Sequence, residues 1–94
     1  MKTIAISFSK SAEKDLNKVP ANIKQKLLTW VRALKLVGLY EVQKLPGYHD
    51  EPLKGDRVGQ RSIRLNRAYR AIYVKDERRE TITVEVIEVN KHEY

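Results

Sequence analysis

The chain has 94 residues, enough for one small domain with a single core, and its 41% hydrophobic and 33% charged content is that of a globular chain. A formal charge of +7 and a pI near 9.8 favour phosphate backbones or acidic partners, although the same charge also serves simply to keep a surface soluble. The lack of cysteine excludes disulfides, zinc-thiolate sites and thiol nucleophiles; no apolar run approaches the ~18 residues of a membrane span, and MKTIAISFSKSAEKD has no signal-peptide pattern, so the expected location is cytoplasmic.

Thr3 to Ser9 alternates, with Ile4, Ile6 and Phe8 on one side, as a half-buried strand does. Ser9 and Ser11 can cap a short helix whose apolar face is Ala12, Leu16 and Val19, and Pro20 ends it. From Ala21 to Val37 the apolar residues Ile23, Leu27, Trp30, Val31, Leu34 and Val37 recur at helical spacing, and Gly38 offers a left-handed stop. Two helices so closely linked predict a helical hairpin across a sheet. Leu39 to Gly59 reads as a long loop punctuated by Pro46, Gly47, Pro52, Gly55 and Gly59; loops of this length are often functional.

Three strands are predicted after the loop. They cover Arg61 to Asn66, Tyr69 to Lys75 (apolar on both faces, as in a central strand) and Thr81 to Asn90, with a polar turn at Asp76 to Arg79. Alternation at Ile82, Val84 and Val86 slips phase to Ile87 and Val89, which predicts either a bulge or burial on both faces. The expected fold over residues 1–94 is a single α+β domain. An N-terminal strand and a helical hairpin precede a three-stranded antiparallel meander, with the helices on one face of the sheet.

No metal or cofactor is expected: GDRVG is a turn-rich segment rather than a phosphate-cradling loop, and two distant histidines have no metal-site spacing. What remains is basic. Arg61, Arg64, Arg67 and Arg70 recur every three residues, which is not a strand period, so they cannot share one face. Arg67 belongs in the hairpin turn, while Arg64 and Arg70 converge only if they face the same side. They then read either as solvated arginines or as a guanidinium fork for phosphate oxygens. His92 is the acid–base candidate, since imidazole titrates near neutrality. Tyr94 can donate a hydrogen bond or stack on a base. His49, in the long loop with Tyr48, is expected to sit in water rather than to touch a ligand.

These segments together resemble the RelE/ParE superfamily of bacterial type II toxins, and within it the RelE- and HigB-like ribosome-dependent mRNA interferases. The resemblance covers nearly the whole chain: the element order, KVPANIKQKLLTW at 18–30, EPLKGDRVGQRSIRL at 51–65, YRAIY at 69–73 and VIEVNKHEY at the end. It implies a toxin that cuts mRNA in the ribosomal A site without a metal, by attack of the 2′-hydroxyl on the adjacent phosphorus. Carried onto this sequence, Arg64, Arg70, His92 and Tyr94 are the catalytic candidates, and Lys54, Arg57, Arg61, Arg67 and Lys91 the RNA-binding ones. Where some relatives have a loop histidine, the aligned residue is Glu51 and His49 is offset, so the general base stays open. Ser62 stands where some relatives carry a further basic residue.

The implied partners are mRNA, the ribosome with its 16S rRNA, and a cognate antitoxin of helix-turn-helix type in a hetero-oligomer. The antitoxin's inhibitory segment is expected to be partly acidic. Two alternatives remain on this reading: a ParE-like DNA gyrase poison on the same fold, and a non-catalytic RNA- or ribosome-binding module.

Overall fold

The structure is a computed structural model that describes residues 2–91. Its elements are β1 (Thr3–Phe8), α1 (Lys10–Leu16), α2 (Ala21–Val37), α3 (Leu39–Gln43), β2 (Glu51–Pro52), β3 (Arg61–Arg64), β4 (Tyr69–Glu77) and β5 (Thr81–Lys91). The strands form one sheet in the order β1-β5-β4-β3-β2. The β3–β4–β5 meander is antiparallel, as expected, and is extended at both edges: β1 runs parallel to β5, and β2 adds two antiparallel residues to β3. None of the helices among the described residues is long and apolar enough to cross a membrane.

The expected elements form where local sequence favours them. Ser9 caps α1 by accepting a hydrogen bond from the Ala12 N–H at 3.0 Å. The α2 boundaries coincide with the apolar periodicity, and Ile23, Leu27, Trp30 and Leu34 from one stripe are fully buried. Gly38 follows at φ +85°, a backbone that side chains disfavour. Leu39 to Gly59 departs from the loop reading. It contains α3, whose Leu39 and Val42 join the core, 3₁₀ turns at Pro46–Tyr48 and Gly55–Arg57, and β2.

One core cluster lies on the helix-covered face of the sheet. It combines the α2 stripe and Ala12 with Ile63, Leu65, Ala71, Tyr73, Ile82, Val84, Val86 and Val89. Strand alternation then assigns the opposite face to Ser62 and Arg64 on β3, Arg70, Ile72 and Val74 on β4, and Glu88 and Asn90 on β5. The phase slip in β5 is a bulge: Ile72 pairs with Glu88 but Tyr73 pairs with Val86, which leaves Ile87 as the extra residue. Ile72 is fully buried too, so β4 is covered on both faces. Residues 53–60 return over that second face, where Arg57 reaches Glu88 at 2.9 Å.

Beyond Phe8, β1 leaves the edge of β5 and α1 takes over. The Ser9 hydroxyl donates to the Ile87 carbonyl at 3.1 Å, and Asp15 accepts the Val89 N–H at 2.9 Å. Two backbone groups that would otherwise lie unpaired beside a helix are thereby satisfied. The end of β5, with Asn90 and Lys91, is held in place next to Arg70.

A basic cleft on the open face of the sheet

Arg64 and Arg70 are direct cross-strand partners, so both project from the face that the helices leave open. Arg64 is exposed and Arg70 half-buried. Among the described residues neither has a carboxylate partner; Arg70 Nε makes one long contact, 3.4 Å, with Asn90 Oδ1. Like charges placed opposite one another on a sheet repel, so the pair costs stability unless an anion sits between them. The two arginines line a small cleft of about 50 Å³ with His49, Glu51, Leu53, Ser62, Ile63 and Tyr69.

Glu51 enters through β2, where it pairs with Ser62 on the same face. His49 ends the 3₁₀ turn at φ +46°, a left-handed backbone. As its loop position suggests, His49 is exposed to water, and it also borders the cleft. The cleft thus holds two cations for phosphate oxygens and two side chains that can carry a proton, within one corner of the sheet.

The other expected site residues are distributed unevenly. Lys91, on β5, is exposed and pairs with Tyr69, one position from the Arg70–Asn90 pair. Arg67 lies in the exposed β3–β4 turn, whose backbone is closed by Asn66 Oδ1 accepting from the Ala68 and Tyr69 N–H groups at 2.8 and 2.7 Å. Lys54 is exposed at the start of the turn that follows β2. Arg57 is engaged by Glu88 and Gln60; the Glu88 hydrogen bond raises its pKa above the ordinary guanidinium value. Arg61 is not brought into the cleft. It pairs with Tyr73 on the helix-covered face and donates from Nε to Asp50 at 2.6 Å. Burial works against its charge, and the Asp50 hydrogen bond and charge outweigh that effect, so its pKa is raised. His92 and Tyr94 lie outside the described residues.

The sequence reading missed Asp50 and Tyr73, which form the floor of this region. Tyr73 is fully buried, donates to Asp50 at 2.6 Å and accepts from Gln43 Nε2 at 3.1 Å. Its burial, reinforced by the Asp50 carboxylate, pushes the phenol well above its ordinary value. A single clue was available: a tyrosine in an apolar strand needs a partner for its hydroxyl. Nothing local identified that partner.

A second, larger cleft of about 390 Å³ lies where β1 and β5 begin, lined largely by apolar groups such as Leu34, Val37, Leu39 and Ile82. It has no arginine pair. Among the described residues no group of three or more histidine, cysteine, aspartate or glutamate side chains is placed to hold a metal ion.

The architecture is a small α+β domain with a basic corner on the open face of its five-stranded sheet. Solved structures share it over nearly their whole length. The YoeB/ParE toxin from Agrobacterium tumefaciens is 23% identical with a TM-score of 0.71, over 95% of this chain and 99% of that one. In the RelE–RelB complex from the archaeon Pyrococcus horikoshii, the matched chain is 21% identical with a TM-score of 0.69, over 95% and 94%. The YoeB dimer from Staphylococcus aureus gives 20% identity and a TM-score of 0.68, over 97% and 98%. No family model matches the chain, and no curated protein matches it in sequence. At these identities the likeness establishes the fold, which is that of the YoeB and RelE toxins.

Proposed function

We propose that the chain is the toxin of a type II toxin–antitoxin pair, an endoribonuclease that cuts mRNA on the ribosome. The observation that carries this reading is the Arg64–Arg70 pair: two arginines opposite each other, with no ion pair to a carboxylate among the described residues, in a cleft that Glu51 and His49 also line. In the reaction, the 2′-hydroxyl loses its proton and its oxygen bonds to the adjacent phosphorus. The bond from phosphorus to the 5′-oxygen breaks, and that oxygen takes up a proton. The products are a 2′,3′-cyclic phosphate and a 5′-hydroxyl end. Arg64 and Arg70 stabilise the negative charge that grows on the phosphoryl oxygens, so the route needs no metal. Glu51 and His49 are the groups at the cleft that can move a proton, with His92, one residue past Lys91, as the third candidate. Tyr94 serves to stack or position a base, and Lys54, Arg67 and Lys91 contact backbone phosphates.

The size of the cleft supports a role for the ribosome. A site of about 50 Å³ is far smaller than the ~300–1,000 Å³ of a typical ligand pocket. It does not enclose a dinucleotide, so another body must align the 2′-hydroxyl in line with the leaving oxygen. The ribosome and its 16S rRNA take that role, which places the protein in the cytoplasm. The partner of the free toxin is an antitoxin, of helix-turn-helix type, whose acidic segment covers Arg64 and Arg70 in a hetero-oligomer. The archaeal RelE–RelB complex, whose toxin chain shares this fold, supports that pairing.

A gyrase poison is the second reading, favoured by the ParE label on the Agrobacterium neighbour. Expression in a sensitive host separates the two. The nuclease reading expects rapid translation arrest that Arg70→Ala abolishes. Filamentation with a DNA-damage response, or full toxicity of Arg70→Ala, contradicts it.

A further inference from the structure

Asp50 lies between two residues of the cleft, His49 and Glu51, yet its side chain faces the other way. It is 1% exposed, on the helix side of the sheet. One carboxylate oxygen accepts from Arg61 Nε and the other from the Tyr73 hydroxyl, each at 2.6 Å. Arg61 Nη2 adds a contact of 3.5 Å to the Asp50 carbonyl. Behind them Tyr73 is fixed by Gln43 and by the ring of Trp30, whose centroid is 5.2 Å away. Both partners of the carboxylate belong to the strands that carry the arginine pair: Arg61 lies on β3 with Arg64, and Tyr73 on β4 with Arg70.

Such an arrangement is a poor source of net stability, because removing a carboxylate and a guanidinium from water costs about as much as their attraction returns. What it supplies is position. Along extended chain, neighbouring side chains alternate between faces. With Asp50 drawn to the helix side, Glu51 is directed to the open face, where its backbone pairs with Ser62. The left-handed backbone at His49 turns the chain into that geometry.

We infer that Asp50 is a positioning residue: held by Arg61 and Tyr73 from behind the sheet, it aims the His49–Glu51 segment at the Arg64–Arg70 pair. The inference rests on the nuclease reading of the cleft. Asp50 itself touches no substrate. It acts on how well the proton-transfer side chains meet a phosphate bound by the arginines, and displacements of about 1 Å at such distances cost up to roughly a hundredfold in rate.

The test uses Asp50→Asn, which keeps the shape but loses the charge, and Tyr73→Phe, which removes one hydroxyl. Each is purified, checked for cooperative melting, and compared with wild type in single-turnover cleavage of ribosome-bound message. Nuclear Overhauser contacts from Glu51 to Ser62 and from His49 to Arg64 are recorded on the same proteins. The expected result is a fall in the maximal rate of roughly tenfold to a hundredfold, with half-saturation unchanged and the Glu51–Ser62 contact weakened. The Arg64–Arg70 cross-strand contacts should be retained. An unchanged rate, or unmoved contacts, in the variants that fold overturns the inference; should Asp50→Asn fail to fold, Tyr73→Phe alone decides. If wild type cleaves nothing, the nuclease reading has failed, and the contacts alone decide whether Asp50 sets the segment.

Discussion

Arg64 and Arg70 are the residues on which the proposed cleavage depends most directly. Directly opposed across β3 and β4, they place like charges on neighbouring positions of one face, with no described carboxylate partner to offset them. Stability and activity are therefore expected to respond in opposite directions. Arg70→Ala should melt at the same temperature as wild type or slightly above it, while cleavage falls by about 10²-fold or more, the usual loss when one donor to a developing anion is removed. A melt curve beside a cleavage assay checks this; a strongly destabilised Arg70→Ala would mean that the arginine is structural. The sequence allowed both to be singled out, because a repeat of three cannot run along one strand face. It could not decide their side, since Arg70 shares parity with the apolar Ile72 and Val74, and Ile72 is buried on the open face. Asp50 was illegible for a different reason. Its partners, Arg61 and Tyr73, are 11 and 23 residues away, and only the completed sheet brings them together.

At the level of elements, the end of β5 is built by α1. Ser9 and Asp15 satisfy the Ile87 carbonyl and the Val89 N–H at the point where β1 stops pairing. Asp15→Ala leaves the Val89 N–H without its acceptor in a part-buried setting, and should cost about 1–3 kcal/mol in denaturant unfolding. The change should also speed amide exchange at Val89 and Asn90 more than in β3; uniform exchange across the sheet would contradict the capping role. The bulge itself was visible beforehand as a phase slip after Val86. The segment from Leu39 to Gly59 was not, because a five-residue helix and a two-residue strand are too short to show a period. They are fixed by what they pack on: Leu39 and Val42 in the core, and Tyr48 buried with Lys26 Nζ 5.0 Å from its ring centroid.

For the whole molecule, the sheet separates two tasks. The helix-covered face holds the core and the Asp50–Tyr73 floor, and the open face displays the cleft. The floor has a consequence for pH. Tyr73 is raised above its ordinary phenol value by burial and then by Asp50, so the folded state holds that proton more tightly than the unfolded state. Its contribution is fully present below about pH 10, the unfolded phenol value, and is lost as pH rises beyond it. Unfolding midpoints should fall above that pH, less steeply in Tyr73→Phe than in wild type; equal slopes would show that the buried phenol does not govern alkaline stability. Glu77, exposed and lowered by hydrogen bonds from Lys2 and Tyr40, acts in the opposite range. Its small contribution is present above the ordinary carboxylate value and disappears as pH falls through the lowered one.

In the proposed function, the open basic cleft cuts message that the ribosome aligns. The most direct measurement incubates the purified protein with defined messenger RNA, with and without ribosomes, and maps the ends produced. Cleavage is expected only when ribosomes are present, with a 2′,3′-cyclic phosphate on the upstream fragment, and both are expected to be lost in Arg64→Ala and Arg70→Ala. Intact message on wild-type-treated ribosomes, with gyrase-dependent breaks in DNA from the same protein, would contradict the nuclease function.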